Sequence, residues 1–176
     1  LVNYEWDAEQ WTTVGFDRGE HGTFSAEADA GKTVITIENQ LIGRDFPTEP
    51  GITAAEGWVF TGWNPVLPET VEAGGLVYTA QYAEDENGNQ IPDTEETRYA
   101  IEYVAGENGS GDAIAVASDQ LPDQDVTDLP TREGNVVSFN GQEIRAVAGF
   151  KFSNMTVTYE PSELDASYVT AEKDGN

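Results

Sequence analysis

The chain has 176 residues, 38% hydrophobic and 10% aromatic, with 33 acids against 8 bases and a net charge of −25. A field of that sign repels nucleic-acid phosphates and anionic lipid, so neither is an expected partner, and self-repulsion favours a soluble monomer. With no cysteine and one histidine, there is no disulfide framework, thiol nucleophile, cysteine zinc site or multi-histidine metal site.

No apolar run approaches the ~18 residues a membrane helix needs, so membrane insertion is not expected. The chain starts at Leu1 without a signal peptide and reads as a processed piece of something longer. Tyr, Phe, Trp, Val and Thr outweigh Leu and Met, which favours strands. The expected class is mainly β, α+β at most.

Val2, Tyr4 and Trp6 alternate with Asn3 and Glu5 in a strand-like setting. Trp11 to Asp17 alternates again, with Val14 and Phe16 inward, and stops at the turn Gly19-Glu20-His21-Gly22. Phe24 to Ala30 is a weak strand, and Lys32 to Ile37 a strong β-branched one. Asn39 to Asp45 reads as one helical turn, ended by Pro47 and Pro50. Gly57 to Trp63 is an aromatic strand with Trp58 and Phe60 on one face, and Leu76 to Tyr82 closes the first half.

Next comes Ala83 to Glu96, a stretch of oxygen ligands, glycine and proline with almost nothing apolar to bury. It reads as turn, linker or cation site. Asp85, Asn87, Asn89, Ile91, Asp93 and Glu96 occupy positions 1, 3, 5, 7, 9 and 12 of a calcium loop, Ile91 through its backbone carbonyl. Gln90 stands at the sixth position, where such loops have glycine. The alternative is a solvated acidic linker stiffened by Pro92.

Beyond it the pattern restarts. Val14, Phe16, Gly19, Glu20 and Gly22 recur as Ile101, Tyr103, Gly106, Glu107 and Gly109, a shift of 101 − 14 = 87. Gly149-Phe150-Lys151-Phe152 echoes Gly57-Trp58-Val59-Phe60, and Ala171 to Asn176 echoes Ala83 to Asn89. Three ordered echoes point to two diverged copies of one unit. The expected division is a first module over 1–83, a linker over 84–97, a second module over 98–172 and the start of another linker at 173–176. In the second copy Asp119 to Asp128 is an acidic loop where the first has its strongest strand. Asn135 to Val147 reads as a hairpin turning at Asn140-Gly141, and Phe152 to Tyr159 and Ala166 to Ala171 supply the last strands.

The segments Phe16 to Phe24, Gly57 to Pro65 and Tyr78-Thr79-Ala80-Gln81-Tyr82 resemble the Listeria-Bacteroides type repeats, the internalin B-repeat-like modules. The resemblance covers about residues 12–83 closely and 98–172 weakly. The acidic stretch is similar to the thrombospondin-type-3-like, calcium-associated linkers of large bacterial surface proteins. The resemblance implies two tandem, small β-grasp-like modules in a secreted or wall-attached protein of a Gram-positive bacterium, without catalysis.

His21 sits in a glycine turn, and the many acids give no specific carboxylate pair. Trp58, Phe60, Tyr78, Phe150 and Phe152 are the expected core aromatics. Trp11, Trp63, Tyr99 and Tyr168 lie near element ends and are the candidate binding platform. Lys32, Lys151 and Lys173 are the only lysines available for a lysine–asparagine cross-link. The expected function is a non-catalytic adhesin or host-protein-binding module, the partner being for example mucin or immunoglobulin. Its alternatives are a carbohydrate-binding accessory module of a secreted enzyme, or a spacer.

Overall fold

The computed structural model describes residues 1–155. The chain divides into two compact units, Leu1–Glu95 and one that opens at Glu96. Among the described residues strands are the main regular element of both, as the composition predicts.

The first unit contains β1 (Trp11–Asp17), β2 (Gly22–Phe24), β3 (Val34–Leu41), β4 (Ile52–Ala54), β5 (Trp58–Asn64) and β6 (Val77–Glu84). A four-stranded sheet has the order β3-β1-β6-β5, and β2 pairs with β4 separately. β1 runs antiparallel to β3 and parallel to β6, while β5 runs antiparallel to β6. Gly15 explains how β1 and β6 approach: a Cβ there would sit 2.9 Å from Val77 Cγ2.

The inward side chains form an aromatic core of Val14, Phe16, Phe24, Trp63, Val71, Tyr78 and Ala80. Phe16 meets Trp63 edge-on at a centroid distance of 5.0 Å and Phe46 at 6.1 Å. Burying each such ring contributes about 1.5–3 kcal/mol, and the edge contacts add to it.

Several local expectations change. Leu1 to Asp7 forms no strand and leads into a 3₁₀ turn at Ala8–Gln10, held by the Asp7 carboxylate, which accepts from Glu9 N. The strand expected over Phe24 to Ala30 ends at Phe24, because residues beyond it turn toward Lys32. β3 continues to Leu41, so no helical turn forms over Asn39 to Asp45. A bulge between Phe60 and Gly62 breaks strict alternation in β5 and brings Phe60 and Trp63, three residues apart, to the same core, while Val59 is buried on the other face.

In the second unit the strands are β7 (Tyr99–Tyr103), β8 (Gly109–Ser110), β9 (Ile114–Gln120), β10 (Thr131–Glu133), β11 (Val136–Phe139) and β12 (Gln142–Ala146). β7 pairs with β9, and the second sheet has the order β10-β11-β12-β8. The hairpin turns at Asn140 (φ 48°) and Gly141 (φ 80°), the positive-φ pair of a two-residue turn. β9 was not legible as a strand, since alanine and serine dilute the signal of Ile114 and Val116, and it runs on through Asp119 and Gln120, where the acidic loop was expected to begin. The core is small and aliphatic: Ile114, Val137 and Ile144 cluster, and Leu121 is also buried. Phe150 is exposed rather than core, and Phe152 lies half-buried beneath the Arg132 guanidinium, 4.7 Å from the ring centroid. The strands expected beyond Met155 lie outside the described residues.

Pairings recur between the units. Gly22 stands opposite Ala54 in β2–β4, and Gly109 opposite Ala146 in β8–β12. β1–β3 and β7–β9 are both antiparallel with an irregular register.

Candidate metal centre

The acidic stretch is a folded loop packed into the first unit. β6 delivers the chain to Asp85, whose N–H donates to the Gly57 carbonyl at 2.9 Å. The Asp85 side chain is 1% exposed. Its Oδ1 accepts from Asn89 N and its Oδ2 from Gln90 N, both at 3.0 Å. A carboxylate in that position orders the loop by satisfying two backbone donors with charge-assisted bonds.

The asparagines work locally. Asn87 Oδ1 accepts from Asn89 N at 3.3 Å, and Asn89 Oδ1 accepts from Ile91 N at 2.9 Å. These are successive Asx turns, in which a short side chain imitates a backbone turn. Gly88 and Gln90 both have φ 72°. Gln90 therefore adopts the left-handed backbone that glycine takes at the sixth position, at a cost of about 1–2 kcal/mol. Asp93 is 6% exposed, opens the 3₁₀ turn Asp93–Glu95, and its Oδ1 accepts from Glu86 N at 3.0 Å.

The left-handed backbone at Gln90 is the one a calcium loop needs at its sixth position, while the acidic donor set is thin. Among the described residues no three His, Cys, Asp or Glu side chains converge. Within the first unit, the donors for a hard cation are the carboxylates of Asp85 and Asp93, the amide oxygens of Asn87 and Asn89, and the Ile91 carbonyl. Each hydrogen-bonded oxygen keeps a second lone pair. Glu96 is the first residue of the second unit.

The four candidate platform residues are not alike. Trp11 is half-buried and stacks on Trp6, centroids 4.3 Å apart and planes within 16°. Trp63 is only 8% exposed and donates its indole N–H to Glu49 Oε2 at 2.5 Å, so it is a core ring and no surface platform. Its position beside the β5 bulge, which period-two reasoning does not anticipate, turns it inward. Tyr99 is half-buried in β7, opposite Gln120. Tyr168 lies outside the described residues, as does Lys173. Lys32 is ion-paired with Asp29 at 2.6 Å, and Lys151 is exposed.

Sequence reading missed the stack of His21 on Trp58, with centroids 3.5 Å apart and planes within 8°. It also missed the Tyr82 hydroxyl, which donates to the Arg18 carbonyl at 2.5 Å and closes the glycine turn. Burial raises the Tyr82 pKa; the Arg18 charge opposes this and the Asp17 carboxylate adds to it. Tyr78 is raised as well, by burial and then by Glu72.

No family model, curated protein or solved structure matches the chain. Likeness to the Listeria-Bacteroides repeats thus rests on the motifs themselves. Among the described residues no helix is long and apolar enough to cross a membrane.

Proposed function

We propose that the chain is a non-catalytic part of a secreted or wall-attached bacterial surface protein, two copies of one small β-grasp-like module acting as adhesin or spacer. The observation that carries this reading is the recurring pairing, Gly22 with Ala54 and Gly109 with Ala146, between strands that interleave in the chain with the β1–β3 and β7–β9 pairs. Parallel β1 and β6 at the centre of a mixed sheet support the β-grasp-like description of the first module. Tandem modules of this size suit display away from a cell wall, and the partner is a host protein or glycoprotein such as mucin or immunoglobulin. Capture of such a protein by the immobilised chain tests the adhesin role. Hits confined to a glycan array favour the carbohydrate-binding alternative, and no binding at all leaves the spacer.

In the same reading the acidic loop takes calcium as a clamp on the end of the first module. A ligand that binds only the folded state at ten times its Kd stabilises by about 1.4 kcal/mol. The melting temperature is therefore expected to rise with millimolar calcium. Asp85→Ala abolishes that rise, and by leaving two backbone donors unsatisfied it costs roughly 1–3 kcal/mol even without metal. A melting temperature indifferent to calcium in the unmodified chain removes the metal from the proposal and leaves the modules.

A further inference from the structure

Within the first unit, β3 is an edge strand, paired only with β1 among the described residues. The Arg18 N–H donates to the Thr33 carbonyl, which sets the phase of the ladder. By antiparallel alternation the backbone groups of Thr33, Ile35 and Ile37 face β1, and those of Val34, Thr36 and Glu38 face outward. Ile35 and Ile37 pack against the core, whereas Val34, Thr36 and Glu38 are exposed. Natural edges are blunted by lysine, proline, inward charge or bulges. β3 has Glu38 and a kink at Asn39 (φ 55°), but the run Val34-Ile35-Thr36-Ile37 carries none of these.

The same unit holds a segment of matching kind outside its sheets, tied down among the described residues by the Trp6–Trp11 stack and the Asp7 carboxylate. Leu1 to Asp7 has no secondary structure, with Val2 76%, Tyr4 92% and Trp6 60% exposed. Exposed apolar side chains at every second position have the pattern of a strand with one buried face. Extended, seven residues span roughly 23 Å, close to the length of an eight-residue strand.

We propose that the open edge of β3 receives the Leu1–Asp7 segment of a second copy of this chain, making a two-fold dimer by reciprocal strand addition. In that register Val2, Tyr4 and Trp6 extend the apolar face of Ile35 and Ile37, and Asn3 and Glu5 point to water. A Tyr4 or Trp6 ring buries about 150–250 Å² when fully covered, but Trp6 is already partly covered by Trp11, so two exchanged segments remove roughly 450–750 Å² from these rings. With Val2 and the matching area of β3 the total reaches roughly 1,200 Å², the lower bound for stable interfaces. Self-exchange opposes the net charge of −25, so association strengthens as salt rises. The inference stands independently of the surface-protein reading.

Sedimentation of the full 176-residue chain from low to high micromolar concentration tests it, at low and high salt. The expected result is a shift from one-chain to two-chain mass, at lower concentration in high salt, with a blue shift in tryptophan emission. Thr36→Pro removes an outward-facing N–H, and the pair Tyr4→Lys with Trp6→Lys spoils the apolar face of the exposed segment. Each variant is expected to stay monomeric with an unchanged far-ultraviolet circular dichroism spectrum. One-chain mass at every concentration overturns the proposal, including the case where emission is already blue because the segment lies on its own β3. Dimerisation abolished by Thr36→Pro but kept in the lysine pair overturns the segment as occupant and assigns β3 against β3. Should Thr36→Pro not fold, the lysine pair alone decides, since its sites lie outside the folded core.

Discussion

Among the described residues the two units have two pairings in common, β1–β3 with β7–β9 and β2–β4 with β8–β12, and differ in what fills them. The first packs Phe16, Phe24, Trp63 and Tyr78 edge to face, while the second closes on Ile114, Val137 and Ile144. Gly22–Ala54 and Gly109–Ala146 nonetheless hold equivalent places. Register follows from where the backbone approaches closely and where turns fall, so it survives exchange of the side chains beneath it. The second unit also adds the strands β10 and β11 to its small sheet, β11 through the hairpin the first lacks.

The sharpest way to break this comparison is to empty each core in turn. Phe16→Ala removes a ring with no exposure that touches three other aromatics, and is expected to cost about 3–5 kcal/mol. All four tryptophans, at 6, 11, 58 and 63, belong to the first unit, so fluorescence-monitored urea unfolding reads that loss directly. Ile114→Ala is expected to cost about 2–5 kcal/mol in the second unit. It should appear as faster hydrogen exchange at Val136 to Ala146, with the fluorescence midpoint less affected. Equal effects of both variants on fluorescence would mean that the two cores do not act separately.

Much of the strand order was legible in the sequence because alternation and glycine turns are local signals. β1, β5, β6 and the Asn140-Gly141 hairpin were read nearly at their bounds. β9 was not, because alanine and serine carry little propensity and its pairing with β7 is non-local. Trp63 was misplaced for a comparable reason: a bulge shifts the inward phase by one residue, which no periodic rule contains. In the acidic loop the donor residues could be listed, but the burial of Asp85 depends on the Gly57 carbonyl and on the loop closing over itself.

A milder comparison uses the two equivalent glycines. A Cβ at Gly22 would collide with the Tyr82 hydroxyl and lie 2.9 Å from the Thr53 carbonyl oxygen. At Gly109 it would meet Ala105 Cβ and the Gly106 carbonyl oxygen at 3.1 Å, a tight contact that small shifts relieve. Gly22→Ala is expected to cost about 1–3 kcal/mol, as overpacking does, and Gly109→Ala less. Thermal unfolding of the two variants checks the order. A larger loss at Gly109 would show that the pairing is more closely fitted in the second unit.

The finest test concerns the hydroxyl that closes the first unit's glycine turn. Because the Tyr82 pKa lies above 10.0 in the folded chain, mainly through burial, folding favours the neutral phenol. Its contribution is fully present below pH 10 and is lost as pH rises through the folded value. Tyr82→Phe removes the bond to the Arg18 carbonyl and is expected to cost about 0.5–1.5 kcal/mol at neutral pH. It should also flatten the alkaline decline, leaving the share that Tyr78 contributes by the same sign. Urea midpoints followed by tryptophan fluorescence at neutral pH and above pH 10 separate the two effects. If wild type and Tyr82→Phe lose equal stability across that interval, the alkaline transition belongs to another group. The turn would then depend on the Arg18 guanidinium, which donates to the Gly22 carbonyl at 2.8 Å, more than on the phenol.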